Sequence, residues 1–344
     1  GLRGTMPNAS PYLIITNYGR NNAVYYPENT ASISSFPNAN LRWEKTQTAN
    51  LGLNYSFNQG RVSGAIDYAY SQSDDLLQSR PVSLVNGAST QLYNSGSKSV
   101  SSFEFSIRTV NVKTKDFAWS TNLNFSYDRD RVLKGFETGV QTNLTINDYL
   151  RGNIYRAGFP TNGFFSYKFD GLSADGLPTF KHLVEENMTP EQQLRAALVY
   201  EGSRVPLYYG GFGTQVKIKN FTLSANWTYK FAYKTRLLSL YNGNQNLPLP
   251  YENMSKYFVE RWRQPGDEAI TNIPSISNYN MSFTGAPDAD GFEKIYVTNY
   301  GKVVPDGQNA WWMYDYSDAR VVDASHIRLQ SLTLSYNVPS NLIK

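Results

Sequence analysis

The sequence contains no cysteine, so disulfide bridges and thiolate metal sites are excluded. No apolar run approaches the roughly 18 residues that a membrane helix requires. The first ten residues, GLRGTMPNAS, lack the basic region and apolar core of a signal peptide. An exported protein would therefore start further upstream, and we expect the chain to be a segment of a longer polypeptide.

Excess charge of one sign is also missing, because 32 basic and 28 acidic residues leave a net charge of only +4. Such a balance gives no support for nucleic-acid binding. The mean hydropathy of −0.47 is that of a soluble protein, but strands with one polar face give the same average. Aromatic residues are plentiful, with 26 Tyr, 18 Phe and 6 Trp among 344 residues. They favour strands and membrane interfaces.

Apolar and polar side chains alternate in seven stretches of the chain, most of them about ten residues long. In 48–57, Leu51, Leu53 and Tyr55 point to one side, while Asn50 and Asn54 point to the other. A period of two indicates a strand whose two faces meet different surroundings. A strand of about 9 to 11 residues with one lipid face and one wet face is typical of outer-membrane barrels.

The connections between these stretches alternate in length. Turns of two to six residues include Asn58-Gln59-Gly60 and Lys219-Asn220, whereas the other connections have 25 to 90 residues. Outer-membrane barrels have short periplasmic turns and long extracellular loops. The predicted strands cover 41–57, 61–71, 98–110, 117–127, 210–219, 221–231 and 324–338, with a further strand remnant near Leu2–Thr5.

Three local features refine this prediction. Apolar residues occupy odd positions at Ile327 and Leu329 but even positions from Leu332, which predicts a β-bulge near Gln330 or Ser331. Thr189-Pro190-Glu191-Gln192 resembles a capping box and predicts a helix over 189–200. A second short helix is predicted over 254–263, before Gln264-Pro265-Gly266.

Five segments carry patterns that occur together, in this order, in one family of membrane proteins. They are PNANLRWEKTQTANLGLNYSF (37–57), GFPTNGFFSYKFDGLSADGLP (158–178), GSRVPLYYGGFGT (202–214), RWRQPGDE (261–268) and ASHIRLQSLTLSYNVP (324–339). These segments resemble the SusC/RagA-type TonB-dependent transporters of Bacteroidota outer membranes. The resemblance covers most of the chain.

The resemblance implies an all-β fold: part of a transmembrane antiparallel β-barrel with long extracellular loops. The family barrel has 22 strands and an N-terminal plug, so residues 1–344 would supply about seven or eight strands, without the plug or the closing strands. It further implies TonB-dependent active import of glycans or oligopeptides, with a SusD-like surface lipoprotein as a lid. Other implied partners are the TonB-ExbB-ExbD complex, outer-membrane lipid and a second transporter–lid pair; nucleic acid is not among them.

Several side chains are candidates for function. Trp311, Trp312, Tyr314 and Tyr316 could form a stacking surface for substrate or pack within a loop, and Trp262 with Arg261 could contact the lid or an anionic substrate. The parity of the strands places Glu104, Arg108, Lys217, Lys219 and Lys230 on the lumen face. It places Trp119, Trp227, Tyr229 and Phe231 in membrane girdles, and Tyr208 and Tyr209 are expected in the upper girdle.

Catalytic chemistry is not indicated. His182 and His326 are far apart, no G-x-S-x-G element is present, and no catalytic, metal-binding or cofactor-binding residues are predicted. Asp288-Ala289-Asp290-Gly291 opens like a calcium loop but lacks the later ligands, so a structural Ca²⁺ in the extracellular loops stays open. Three rival interpretations remain: a passive porin-type channel, a surface glycan-binding β-sandwich or adhesin, and an outer-membrane barrel enzyme.

Overall fold

The computed structural model describes residues 2–5, 14–21, 28–35, 38–81, 90–135, 146–152, 156–183, 198–240, 255–275, 280–283, 292–298 and 310–339. Regular structure within these ranges is almost entirely antiparallel strand. Among these residues, no helix has the length and apolarity needed to cross a bilayer.

The strands are numbered in chain order. They are β1 (Leu2–Thr5), β2 (Ile14–Asn21), β3 (Glu28–Ser35), β4 (Glu44–Phe57), β5 (Val62–Pro81), β6 (Thr90–Lys113), β7 (Phe117–Lys134), β8 (Gly163–Leu172), β9 (Pro178–Leu183), β10 (Leu198–Ser203), β11 (Tyr208–Ile218), β12 (Phe221–Phe231), β13 (Lys234–Arg236), β14 (Asn280–Phe283), β15 (Phe292–Thr298), β16 (Val321–Asp323) and β17 (His326–Tyr336).

Eight strands form the main sheet in the order β1-β4-β5-β6-β7-β11-β12-β17. Every neighbouring pair is antiparallel. The predicted all-β antiparallel fold with about seven or eight barrel strands is therefore confirmed. Within the described residues the sheet is not closed into a barrel, because β1 and β17 are its two edges.

The short turns all lie along one end of this sheet. Asn58, Gln59 and Gly60 have φ of +51°, +55° and +81°, and Lys219 has φ +51°, as tight hairpin turns require. The backbone N–H of Lys219 donates to Asp116 O at 2.7 Å, which joins two neighbouring turns. The predicted alternation of short and long connections is thus present in the sheet.

Strands β5 and β6 are longer than the sequence pattern predicts. The predicted polar loop 72–97 is wrong for the most part, because the two strands stay paired up to Pro81 and Thr90. A register shift at Leu76 accompanies a positive φ of +59° at Asp75, whose carboxylate binds Arg42 at 2.7 Å. Polar side chains do not prevent backbone hydrogen bonding between strands, so the pairing of β5 with β6 continues beyond their apolar part.

The predicted β-bulge in the last strand is confirmed. Asn226 pairs with Ser331 and Trp227 pairs with Leu329, so Gln330 is an extra residue without a partner opposite it. The bulge restores one common face for Ile327 and Leu329 with Leu332 and its successors. The strand predicted at 221–231 coincides with β12.

A second layer of structure belongs to the long connections. A five-stranded sheet has the order β10-β8-β9-β15-β14, and β13 pairs with β16. Two six-residue helices, α1 (Ile146–Arg151) and α2 (Ala310–Asp315), adjoin it. Among the described residues, the most deeply buried large side chains lie in this layer: Leu150, Phe164, Tyr167, Phe180, Trp311 and Met313.

The two predicted loop helices are not found as predicted. Residues 198–200 begin strand β10, so a helix reaching Tyr200 is wrong; 189–197 lie outside the described residues. Over 255–263, the described part of the second predicted helix (254–263), the structure has only a 3-10 turn, Lys256–Glu260, capped by Ser255 and ending at Arg261, where the backbone becomes extended. A second 3-10 turn, Asp267–Ala269, follows Gly266.

Candidate functional site

One face of the main sheet is apolar and open. The register places the outward side chains of successive strands on the same face, and many are widely exposed, such as Leu51 (76 %) and Leu334 (70 %). Nothing in the described part of the chain covers these side chains. Since contiguous apolar surface of this size is not stable in water, the face is suited to lipid.

The predicted girdle residues lie on this face. Trp119 lies close to the short turns, and its Nε1 donates to Thr214 Oγ1 at 2.9 Å. Trp227 stacks on Phe212 with ring centroids 5.6 Å apart, and Tyr229 stacks on Phe231 at the same distance. Their depth relative to a membrane stays a prediction.

The opposite face of the main sheet is polar and carries four of the five residues that were predicted to face the lumen. Glu104, Arg108, Lys217 and Lys230 share it, as the pairing of Glu104 with Asp67 and of Lys230 with Tyr209 shows. Lys219 does not, because β11 ends at Ile218 and Lys219 lies in the hairpin turn. Whether this face lines a lumen stays a prediction.

Tyr208 and Tyr209 separate to the two faces. Tyr208 joins the outer aromatic row, 5.2 Å from the Tyr127 ring centroid. Tyr209 lies on the polar face and donates a hydrogen bond to Asp128. The expectation that both belong to the upper girdle is therefore wrong for Tyr209, since adjacent residues in a strand point to opposite sides.

A recess of about 850 Å³ opens where the polar face meets the loop layer. Its floor comes from the upper ends of β6, β7, β11 and β12, and its walls come from 158–162 and 200–207. The walls are attached through the backbone, since Val132 N donates to Phe159 O at 2.9 Å and Asp128 N donates to Leu207 O at 3.1 Å. We refer to this space as the rim recess.

Acidic groups of the rim recess are engaged in holding its walls. Asp130 accepts hydrogen bonds from the backbone N–H of Thr161, at 2.6 Å, and from the Thr161 hydroxyl. Asp128 accepts from Tyr209. These carboxylates therefore fix the loop 158–162 and the end of β11 in place.

An aromatic group forms one wall of the rim recess. The Tyr200 ring meets Phe159 edge-to-face at 4.9 Å and lies 5.3 Å from Phe165, yet 43 % of Tyr200 remains exposed. Burial of the rest of the side chain raises the pKa of the Tyr200 hydroxyl, and the nearby charge of Asp130 raises it further. A neutral, rigidly held ring thus faces the recess.

The aromatic residues of α2 form the core of the loop layer. Trp311 and Tyr314 are 1 % and 2 % exposed, so both rings are inaccessible to a ligand as packed here. Trp311 Nε1 donates to Ser275 O at 2.9 Å. Trp312 and Tyr316 stack on each other at 4.4 Å and are half-buried. Contact of these two with substrate or lid stays a prediction.

Two arginines, Arg236 half-buried and Arg320 buried, join distant parts of this core. Arg236 donates to Leu150 O and Phe165 O, both at 2.9 Å, and to Ser166 Oγ at 2.8 Å. Its burial lowers the pKa of the guanidinium to about 10. Arg320 donates to Leu238 O at 2.5 Å.

Asp315 is the buried acid of the same core. Its carboxylate accepts from Ser239 and lies 3.8 Å from Arg320 Nε. Burial raises the pKa of Asp315 to about 6, although the Ser239 hydrogen bond and the Arg320 charge act in the opposite direction. No sequence signal distinguished Asp315, Arg236 or Arg320, because each depends on partners distant in the chain.

Trp262 and Arg261 lie in an irregular segment of the loop layer. Trp262 packs on Gly176 and donates through Nε1 to Glu268 Oε2 at 3.0 Å. Arg261 Nη1 donates to Phe258 O at 3.2 Å, and burial lowers the pKa of the guanidinium. Both side chains are half-buried, and a role with lid or substrate stays a prediction.

Within the described residues, neither the acidic side chains nor the histidines are arranged as a metal site. No group of three His, Asp or Glu side chains is arranged there to hold a metal ion. His326 lies in β17, 3.2 Å from the Tyr233 hydroxyl, and only the backbone of His182 is described. Residues Asp288–Gly291, which were considered as a calcium loop, lie outside the described residues.

Together, the two-faced sheet, its short turns at one end and the folded loop layer at the other define a segment of an outer-membrane β-barrel wall. No protein-family model matches the chain. It is 35 % identical to TonB-dependent receptor P26 of Formosa agariphila over 306 residues, which is 88 % of the chain and 28 % of that receptor. It is also 31 % identical to TonB-dependent receptor SusC of Bacteroides thetaiotaomicron over 159 residues, 44 % of the chain and 16 % of SusC.

A solved structure of the RagAB peptide transporter has the same fold, with a TM-score of 0.68 and 21 % identity. The match covers 99 % of the chain and 34 % of the transporter chain. The homologues of this chain are TonB-dependent receptors, SusC among them, which confirms the resemblance and places the chain in the bacterial outer membrane. These homologues are receptors and transporters, not enzymes. The chain spans about a third or less of their length.

Proposed function

We propose that the whole protein is a TonB-dependent active importer, and that this chain supplies part of its barrel wall and its extracellular loops. The sheet with one lipid face and one polar face carries the proposal, together with homology to TonB-dependent receptors. The substrate is a glycan or an oligopeptide, and energy comes through TonB-ExbB-ExbD acting on a plug that other parts of the protein supply. The loop layer faces the outside of the cell.

The partner proposed for the loop layer is a SusD-like surface lipoprotein. Leu238 and Ile270 are 89 % and 84 % exposed, and Val259 is 60 % exposed. These apolar side chains lie on the irregular loops rather than on the lipid face of the strands. They support a protein contact at this end of the molecule.

Uptake in the native bacterium tests the importer function. Growth on a panel of single glycans and oligopeptides is compared between wild type, a strain lacking the full-length gene and a strain lacking TonB. An importer requires both genes for growth on one member of the panel. Uptake that persists without TonB would instead establish a passive porin, and surface binding without uptake would establish an adhesin.

The lid is tested by copurification. The tagged full-length protein is extracted from the outer membrane in detergent, and its bound lipoproteins are identified. The Leu238→Glu/Ile270→Glu variant is expected to retain less of a SusD-like lipoprotein, whereas Val338→Glu, an exposed apolar residue beside the short turn Lys219-Asn220 at the other end of the sheet, serves as the control. Equal recovery from all three proteins would contradict a contact at these loops.

A further inference from the structure

Two lysines and two acidic residues of the polar face line the rim recess: Lys98 and Lys230, with Asp128 and Asp130. Arg129 and Arg131 also border it, but they alternate with the two aspartates in β7 and so point to the other face of the sheet. Both carboxylates are already hydrogen-bonded to Tyr209 and Thr161. The two lysines have no ion pair or hydrogen bond among the described residues, so their charge is available to a ligand.

The lysines are far apart along the recess. Lys98 in β6 pairs with Val132 of β7, while Lys230 in β12 pairs with Tyr209, which pairs with Ser126 of β7. With strands about 4.8 Å apart and a rise of about 3.3 Å per residue, the two Cα atoms are separated by roughly 25 Å. A ligand that reaches both ammonium groups must therefore be an oligomer with more than one anionic group.

Side chains, not backbone, provide the contacts in the recess. Strands β7 and β11 are each paired on both sides, so the floor has no free edge to which an extended peptide could add as a strand. The exposed part of the Tyr200 ring offers a flat apolar surface beside hydroxyl, amine and carboxylate groups. This combination suits a pyranose ring, which has one apolar face and a polar perimeter.

We propose that the rim recess binds an anionic oligosaccharide, with Lys98 and Lys230 contacting its carboxylate or sulfate groups and Tyr200 stacking on a sugar ring. The proposal deepens the proposed importer function by naming its substrate class. Lys98 and Lys230 select for negative charge, and Tyr200 selects for carbohydrate. Asp128 and Asp130 hold the walls and do not contact the anionic groups.

Binding to the purified full-length protein in detergent tests this proposal by calorimetry. The probes are hexagalacturonate for carboxylates, a sulfated hexasaccharide of chondroitin, neutral maltohexaose and the peptide hexaglutamate. We expect one of the two acidic sugars to bind at least tenfold more tightly than maltohexaose and hexaglutamate, and binding to weaken as salt is raised. Equal affinity for maltohexaose, or tighter binding of hexaglutamate, would overturn the proposal.

Variants assign the contacts. Lys98→Gln/Lys230→Gln is expected to lower affinity for the acidic sugar about tenfold or more, and Lys98→Arg/Lys230→Arg to restore it in part. Lys113→Gln/Lys115→Gln, at the short-turn end of β6, is the charge-matched control. Tyr200→Leu keeps an apolar side chain against Phe159 but removes the flat ring, and Tyr257→Leu, an exposed tyrosine outside the recess, is its control.

The outcomes separate this proposal from the importer function. Binding needs no energised membrane, so it succeeds or fails independently of TonB-dependent growth. Affinity that is the same in wild type, the double lysine variants and Tyr200→Leu would show that the sugar binds elsewhere and would overturn the assignment. Correct assembly of each variant is confirmed from its heat-dependent mobility on a denaturing gel.

Discussion

The guanidinium of Arg236 lies over the ring of Tyr316, with Cζ 4.6 Å from the ring centroid. The same group donates to Leu150 O, Phe165 O and Ser166 Oγ. One side chain from β13 thereby joins α1, β8 and the end of α2. The planar, multiply donating guanidinium is suited to this position in a way that an ammonium group is not.

Arg236→Lys is expected to loosen the loop layer while leaving the main sheet intact. The variant keeps the charge but cannot make the same three hydrogen bonds, so we expect the local opening free energy of α1 and β8 to fall by about 2–4 kcal/mol. Hydrogen exchange of the full-length protein measures this opening. Arg151→Lys, exposed at the end of α1, is the control; equal exchange in both variants would contradict the role of Arg236.

Asp315 makes the loop layer sensitive to pH. Its pKa is raised to about 6, above the ordinary value of 3.8, so the fold favours the protonated form. The stabilising contribution is fully present below about pH 4 and is lost as pH rises through about 6, a change of about 3 kcal/mol. Exchange protection of 310–320, corrected for intrinsic rates, is therefore expected to fall between pH 4 and pH 7.

Asp315→Asn removes the titrating group and should flatten this pH profile. Asp175→Asn, exposed in the turn before β9, should leave the profile as it is in the wild type. Protection that rises with pH in the wild type would mean that the Arg320 charge, not burial, dominates at Asp315.

Gly176 and Gly171 give a matched test of the Trp262 contact. Both have positive φ, +74° and +104°, so alanine at either costs about 1–2 kcal/mol in backbone strain. A Cβ at Gly176 would lie 2.3 Å from Trp262 Cδ2, whereas one at Gly171 meets nothing within 4 Å. Gly176→Ala should therefore displace Trp262 and raise exchange over 261–275, and Gly171→Ala should not; the reverse order would refute this packing.

The extra residue at Gln330 is expected to be required for barrel assembly, whereas the identity of its side chain is not. Deleting Gln330 moves one half of β17 to the wrong face, so apolar and polar side chains exchange surroundings. Assembly of the full-length barrel in the outer membrane should be lost on deletion and retained in Gln330→Ala. Normal assembly of the deletion variant would show that the register of β17 is not fixed by its faces.

The lipid face is tested by placing one charge on each side of β4. Leu53 is 61 % exposed on the apolar face, and its neighbour Asn54 points to the polar face. Lysine at position 53 should destabilise the assembled barrel by about 2–4 kcal/mol, and Asn54→Lys by far less. The midpoint of urea unfolding in lipid vesicles measures the difference, and equal midpoints would mean that the Leu53 face is not in lipid.

The sequence by itself determined the strands of the main sheet, their faces, their short turns and the extra residue in β17, but not the strands of the loop layer. Side-chain alternation and turn chemistry are local, so 221–231 could be predicted to the residue and Gln330 could be located to within one position. The alternation of apolar and polar side chains was weak over 72–97, where most residues of β5 and β6 remain paired through their backbones. Side-chain alternation does not indicate strand pairing where that pairing depends on backbone hydrogen bonds alone.

Only the tertiary structure decided what surrounds the individual functional side chains. Arg236 and its partner Leu150 O are 86 residues apart in the chain, and the walls of the rim recess come from two separate segments, 158–162 and 200–207. Trp311 and Trp312 are neighbours in sequence, yet one is enclosed and the other half-buried. Burial, pKa shifts and recesses arise from contacts between distant segments, and such contacts leave no period in the sequence.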